Sequence, residues 1–225
     1  MFLKKNYFLY IDNTQSININ LFKNNNTFNI IYRNHNKKEK LDKIVKFQKL
    51  CKRKGVKLYI ANDIKLGLKI GCQGIYLSSF NKKLNFLYRN KWKKIEIIGS
   101  AHNFIEINNK LKQGCNKIVL SRLFKTKYEN KKSFLGVTKF NLMTRYYKNY
   151  FIALGGIRES NIKKIKMLKC KGVALLSEVK KKPAILRRLF WIIFVLNLER
   201  DWHSQVSFFQ LVTNCICFIV ILFVW

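Results

Sequence analysis

The residues best placed to do chemistry are Gly155 and Gly156, in the run Ala153-Leu154-Gly155-Gly156-Ile157, and Leu176-Ser177 about twenty positions on. Two glycines ending an apolar run let the backbone come close to a phosphate and offer it free N–H groups. At the second position a backbone amide and the Ser177 hydroxyl would point at the same place. Each hydrogen bond to a dianion contributes roughly 1.5–3 kcal/mol. Three or four of them suffice for micromolar affinity after the cost of association. The chemistry implied is capture of a phosphoryl group by two turns.

Such turns need a scaffold that brings their strands side by side. Short runs rich in β-branched and aromatic residues recur at Tyr7–Asp12, Phe28–Tyr32, Lys57–Ala61, Gly74–Ser78, Ile95–Gly99, Lys117–Ser121, Tyr150–Leu154 and Gly172–Ser177. Their apolar character is nearly continuous, as expected of strands covered on both faces. Helical stripes lie between them: Leu41, Ile44, Val45 and Cys51; Phe104, Ile107 and Leu111; Ile162, Ile165 and Leu168. Gly55, Gly71, Gly114 and Gly172 stand where left-handed C-caps are expected, and Ser160 is a candidate N-cap. Alternating strands and helices mean parallel βαβ units. Eight of them in a chain of this length favour a closed (β/α)8 TIM barrel of the α/β class over an open sheet. In that fold the active site lies at the C-terminal ends of the strands, with phosphate bound after strands seven and eight.

Composition excludes several alternatives. Hydrophobic residues make up 48% of the chain, enough for a large core. The formal charge of +34 would suit nucleic acid if it were clustered. The lysines instead spread over nearly every surface segment, so no specific nucleic-acid partner is expected. Cys51, Cys72, Cys115, Cys170, Cys215 and Cys217 form no CxxC pair, and with only three histidines a zinc site is not expected. Cys51, Cys72, Cys115 and Cys170 read as reduced core cysteines of a cytoplasmic protein. Residues 1–196 form the expected barrel domain. Residues 197–225 form a polar linker followed by the apolar run Phe208–Trp225, a candidate membrane or packing helix near the lower limit of a bilayer span.

The barrel segment resembles the thiamine phosphate synthase family (thiamine monophosphate synthase/TenI) from about Phe28 to Val179. Ile31-Tyr32-Arg33 matches its Gln-Leu-Arg strand end, Asn62-Asp63 its Asn-Asp pair, and Gly74-Ile75-Tyr76-Leu77 its Gly-Val-His-Leu strand. Ser100-Ala101-His102 matches Ser-x-His, Phe124-Lys125-Thr126 matches Phe-Pro-Thr, and Leu135-Gly136 ends the same loop. Gly155-Gly156-Ile157 is intact, as is Val173 to Ser177. The resemblance implies joining of a hydroxymethylpyrimidine diphosphate to a thiazole phosphate, with release of pyrophosphate, in thiamine biosynthesis. It implies Arg33, Ser100 and His102 as catalytic residues. Small phosphorylated substrates would bind Arg33, His35, Asn62, Ser100, Thr126, Gly155, Gly156, Leu176 and Ser177. Mg2+ would sit at Asp63 and Asn81. Against the family pattern, Ile31 replaces Gln, His35 replaces Lys, Asn81 replaces the second metal-binding Asp, Tyr128 replaces Thr and Glu129 replaces Lys. A thiazole tautomerase-type isomerase, or a barrel that binds without catalysis, is the alternative on the same scaffold.

Overall fold

The computed structural model describes residues 5–22, 27–34, 39–83, 95–126, 133–148 and 150–176. Eight strands close into one barrel in chain order. They are β1 (Asn6–Ile11), β2 (Phe28–Tyr32), β3 (Lys57–Ala61), β4 (Gly74–Leu77), β5 (Glu96–Ala101), β6 (Lys117–Ser121), β7 (Tyr150–Leu154) and β8 (Gly172–Leu175). Every neighbouring pair is parallel, and β8 pairs with β1 to shut the ring. Among the described residues four α-helices lie outside: α1 (Leu41–Arg53), α2 (Ile64–Ile70), α3 (Phe104–Lys112) and α4 (Gly136–Arg145). A 3-10 segment, Glu159–Met167, stands where the helix between β7 and β8 is expected. The (β/α)8 architecture expected from the sequence is therefore present. The boundary at residue 196 and the apolar tail lie outside the described residues. Among the described residues no helix is long and apolar enough to cross a membrane.

Several local expectations change. β5 runs to Ala101, so Ser100 belongs to the strand and not to the loop after it. Ile162, Ile165 and Leu168 are all buried, but their strict spacing of three fits a helix of three residues per turn, where such positions line up. Ser160 does not cap this segment. The Asn161 carboxamide does, accepting from Arg158 N at 2.8 Å. Gly172 is not a left-handed cap either: it opens β8, where an added Cβ would lie 3.0 Å from Phe8 and Ile152 side-chain atoms. Gly55, Gly71 and Gly114 do adopt the left-handed conformation. Cys51, Cys72, Cys115 and Cys170 are buried free thiols, and burial pushes Cys51 and Cys115 up to about 12. An inert core role follows.

Two cores result from the period-two alternation of the strands. One lies between the sheet and the helices. The other fills the lumen with Phe8, Tyr10, Ile31, Tyr59, Tyr76, Ile98, Val119, Ile152 and Ala174. Tyr10 meets Tyr76 edge-on at 5.5 Å, and Phe8 lies 6.1 Å from Tyr59. At the N-terminal mouth the lumen ends in a polar knot. Glu96 accepts from Lys57 Nζ at 2.7 Å, from Lys117 Nζ and from the Tyr59 hydroxyl. Lys117 also lies 5.0 Å from the centroid of the Tyr150 ring. Burial opposes ionisation of Glu96, but the bonds from Lys117, Lys57 and Tyr59 outweigh it and hold the carboxyl at about 2.

A carboxyl depressed from 4.5 to about 2 stabilises the fold above its unfolded value, and that stabilisation is lost as pH falls from about 4.5 toward 2. Glu96→Gln should therefore cost roughly 1–3 kcal/mol at pH 7. Urea unfolding between pH 7 and pH 3 should show the gap between wild type and variant narrowing below about pH 4.5. A gap independent of pH would contradict this role.

Candidate functional site

At the opposite mouth, the same alternation decides what faces inward. Two residues beyond the lumen positions Tyr76, Ile98 and Val119 come Ser78, Ser100 and Ser121, all buried. Ala61, Leu154 and Leu176 complete the upper ring and pack on the lumen cluster. Ser100 pairs in register with the lumen residue Val119 and so shares its face. Arg33 follows β2, two residues past Ile31, and its backbone N–H donates to Ile11 O at 2.8 Å. Its Nε is buried and meets no hydrogen-bond partner among the described residues; the same holds for Thr126 Oγ1, after β6. Buried polar atoms left unmet are costly, and these two lie at the C-terminal ends of β2 and β6.

The turn after β7 is built by two left-handed glycines, Gly155 at φ 108° and Gly156 at φ 67°. A Cβ on Gly156 would lie 2.5 Å from Phe124 O and 2.7 Å from Lys125 O. The glycine is thus required first by the neighbouring β6 loop, whose backbone rides on this turn. Leu123 N donates to Leu154 O and Phe124 N to Gly155 O, both at 2.9 Å. Asn161 Nδ2 holds Gly156 O at 2.8 Å. The N–H groups of Gly156 and Ile157 have no protein acceptor among the described residues. Leu135 N and Gly136 N return to Arg122 O and Leu123 O at 2.9 and 2.8 Å, closing the β6 loop on its own base. Thr126 and the glycine turn are thereby brought together. Leu176 lies at the end of β8; Ser177, the second half of the expected cradle, lies outside the described residues, as does His35.

At the β3–β4 corner, Asn62 adopts a left-handed backbone (φ 58°). Its Oδ1 accepts from Ser78 N and Ser78 Oγ, both at 3.0 Å, and from Asn81 Nδ2 at 3.4 Å. Asn62 and Asn81, expected to touch substrate and metal, therefore do meet. Asp63 caps α2 through Oδ1, which accepts from Leu66 N at 2.9 Å. These donors do not fit a resident Mg2+. One Asp63 oxygen is spent on the cap, the Asn81 amide nitrogen is turned toward Asn62, and no group of three His, Cys, Asp or Glu among the described residues could hold a metal. His102 is exposed, and Glu106 Oε2 takes both its Nδ1 at 2.8 Å and its backbone N–H at 2.9 Å. That is the geometry of a residue held just before the start of α3, whose N-cap is Asn103.

The family model described as thiamine monophosphate synthase matches residues 21–179. The chain belongs to the thiamine monophosphate synthase family. A thiamine-phosphate synthase of Prochlorococcus marinus strain AS9601 is 33% identical over 141 residues, covering 62% of this chain and 40% of that relative. One of Pelagibacter ubique is 27% identical over 144 residues, covering 62% of this chain and 69% of the relative. The chain thus spans less than half the length of the Prochlorococcus relative. Among solved structures, the thiamine phosphate pyrophosphorylase of Pyrococcus furiosus superposes with a TM-score of 0.64 at 15% identity, over 84% of this chain and 96% of the other. KGPDC from Streptococcus mutans gives 0.56 at 12%, over 84% and 96%. These likenesses establish the barrel alone.

Sequence reasoning passed over Ser78 and Ser121. Counting two residues past each buried strand position would have found them. It also passed over Lys110 and Gln113, for which no local pattern exists.

The two left-handed glycines flanking the β6 loop separate conformational strain from steric blockage. Gly136 has open space where a Cβ would go, whereas Gly156 does not. Chemical denaturation should show Gly136→Ala costing about 1 kcal/mol and Gly156→Ala roughly 2–4 kcal/mol. Equal costs would mean that the β6 loop does not ride on the turn.

Proposed function

We propose that this chain is a thiamine phosphate synthase-type transferase that joins a hydroxymethylpyrimidine diphosphate to a thiazole phosphate and releases pyrophosphate. One observation carries the reading: the glycine turn presents N–H groups that meet no acceptor among the described residues, against the β6 loop that carries Thr126 and on the same mouth as Arg33 and Ser100. Membership of the family supplies the reaction class.

The bond that breaks joins the pyrimidine methylene carbon to the diphosphate oxygen, and its electron pair leaves with the diphosphate. The thiazole nitrogen lone pair then forms the new C–N bond, leaving a thiazolium cation and pyrophosphate. No proton need move in this exchange, so charge stabilisation of the leaving group is the main catalytic task. Arg33 supplies a planar fork for it, and its unmet Nε is a donor held in reserve for that anion. Ser100 adds a hydroxyl from the inner face of β5. The amides of Gly156 and Ile157 take the thiazole phosphate, Thr126 closes over it, and Ser177, outside the described residues, is assigned to the same phosphate. Asn62 and Asn81 face the diphosphate from the β3–β4 corner, and His35, outside the described residues, is assigned as a further donor when protonated. Because the protein donors do not fit a resident ion, Mg2+ belongs to this reading as part of the diphosphate substrate. Asp63, with the oxygen that the cap leaves over, would be the carboxylate to contact that substrate-borne ion. His102, held by Glu106, is assigned to the segment just before α3.

The full chain incubated with both substrates and Mg2+ should form thiamine phosphate. Arg33→Ala should lower kcat/KM by roughly 10²–10³, the range for removing one donor to a developing anion. His102→Ala should lower it less than tenfold. Turnover of the thiazole phosphate alone would move the reading to an isomerase. Neither turnover nor binding of either phosphate would end it.

A further inference from the structure

Behind the β3–β4 corner lies a buried cation that the chemistry above does not use. Lys110, on α3, is only 2% exposed. Its ammonium donates to Ser78 O at 2.7 Å, Asn81 O at 2.7 Å and Gln113 Oε1 at 2.8 Å. Gln113 Nε2 in turn donates to Asn81 O at 2.9 Å and Lys83 O at 2.7 Å. Three neutral oxygens therefore take the place of a carboxylate, an expensive way to bury a charge. Burial pulls the lysine pKa down, while Cys115 and Glu106 oppose that fall.

The route of the side chain is also specific. It runs over Gly99 in β5, where an added Cβ would lie 2.8 Å from Lys110 Cδ and 2.9 Å from Cγ. A larger residue there would shut the passage. The lysine tip emerges under the turn Ser78–Asn81, which is closed by Asn81 N donating to Ser78 O at 3.0 Å. That turn carries the groups that meet Asn62: Ser78 N, Ser78 Oγ and Asn81 Nδ2. Two of the three acceptors of Lys110, Ser78 O and Asn81 O, thus hold from behind the corner that faces the mouth.

We propose that Lys110 is a positioning residue: without touching substrate, its ammonium sets the Ser78–Asn81 turn and so the Asn62–Asn81 corner that receives the diphosphate. Gln113 shares the task, and Gly99 makes room for it. The functional half of this proposal rests on the transferase reading; the clamp itself does not.

Hydrogen exchange on the full chain tests the clamp without any ligand. In Lys110→Met, the Ser78 and Asn81 amides should exchange at least about tenfold faster, the loss expected for one charge-assisted hydrogen bond, while the ladder amides of β6 and β7 keep their rates. Lys110→Arg should restore part of the protection. In Lys110→Ala, ethylammonium should refill the site and slow exchange at the same two amides. A uniform rise across all strands, or no change at Ser78 and Asn81, overturns the clamp. If Lys110→Met does not fold, Gln113→Leu should loosen the same segment, and its failure to do so overturns the clamp equally. Pyrophosphate with Mg2+, titrated calorimetrically, should bind Lys110→Met about tenfold more weakly, with thiazole phosphate affinity unchanged. Undiminished pyrophosphate affinity overturns the positioning role. A wild-type chain that binds no pyrophosphate contradicts the transferase reading instead, and the exchange result alone then decides the clamp.

Discussion

The constraint on which the molecule depends is the closing of eight parallel strands into a ring, which turns every second side chain inward. The space enclosed is filled by rings and branched chains, with Phe8, Tyr59, Ile98, Val119 and Ile152 wholly buried. Most polar groups on the inner face gather at the two mouths, and the two mouths treat them differently. At the N-terminal end Glu96 satisfies two lysines and a tyrosine hydroxyl, so that end is closed electrostatically. At the C-terminal end Arg33 Nε, Thr126 Oγ1 and the amides of the glycine turn find no protein acceptor among the described residues. The asymmetry between a satisfied floor and an unsatisfied rim is what singles out one mouth as the candidate binding site.

The rim is held together loop by loop. The segment after β6 rests on the turn after β7, and Gly156 is glycine because the Phe124 and Lys125 carbonyls occupy the space beside it. The segments after β3 and β4 meet through Asn62 Oδ1, which gathers three donors into one corner. Loops coupled in this way lose little further freedom when an anion arrives, which favours binding through pre-organisation.

Much of this was readable in the residues. Strands covered on both faces announce themselves by unbroken apolar runs, and their order fixed the barrel and the mouth at which to look. Features that depend on side chains meeting across the fold were not readable. Asp63 looks like a metal ligand by type, yet its oxygen is drawn to the start of α2. His102 looks like an acid or base until Glu106, one helical turn on, is seen to hold it. Lys110 shares α3 with the exposed Lys112 and resembles it in sequence; only the missing side chain of Gly99, on another element, gives it a way inward. Spacing can mislead too, since Ile162, Ile165 and Leu168 suit a helical stripe of either kind until the backbone chooses.

The most direct test of the account is an amide-resolved NMR titration of the full chain with the thiazole phosphate. The Gly156 and Ile157 amide resonances should move first and farthest, with smaller shifts at Thr126 and none at the Lys57–Glu96–Lys117 end of the barrel. Shifts confined to surface lysines, or larger at the N-terminal mouth than at the glycine turn, would contradict it.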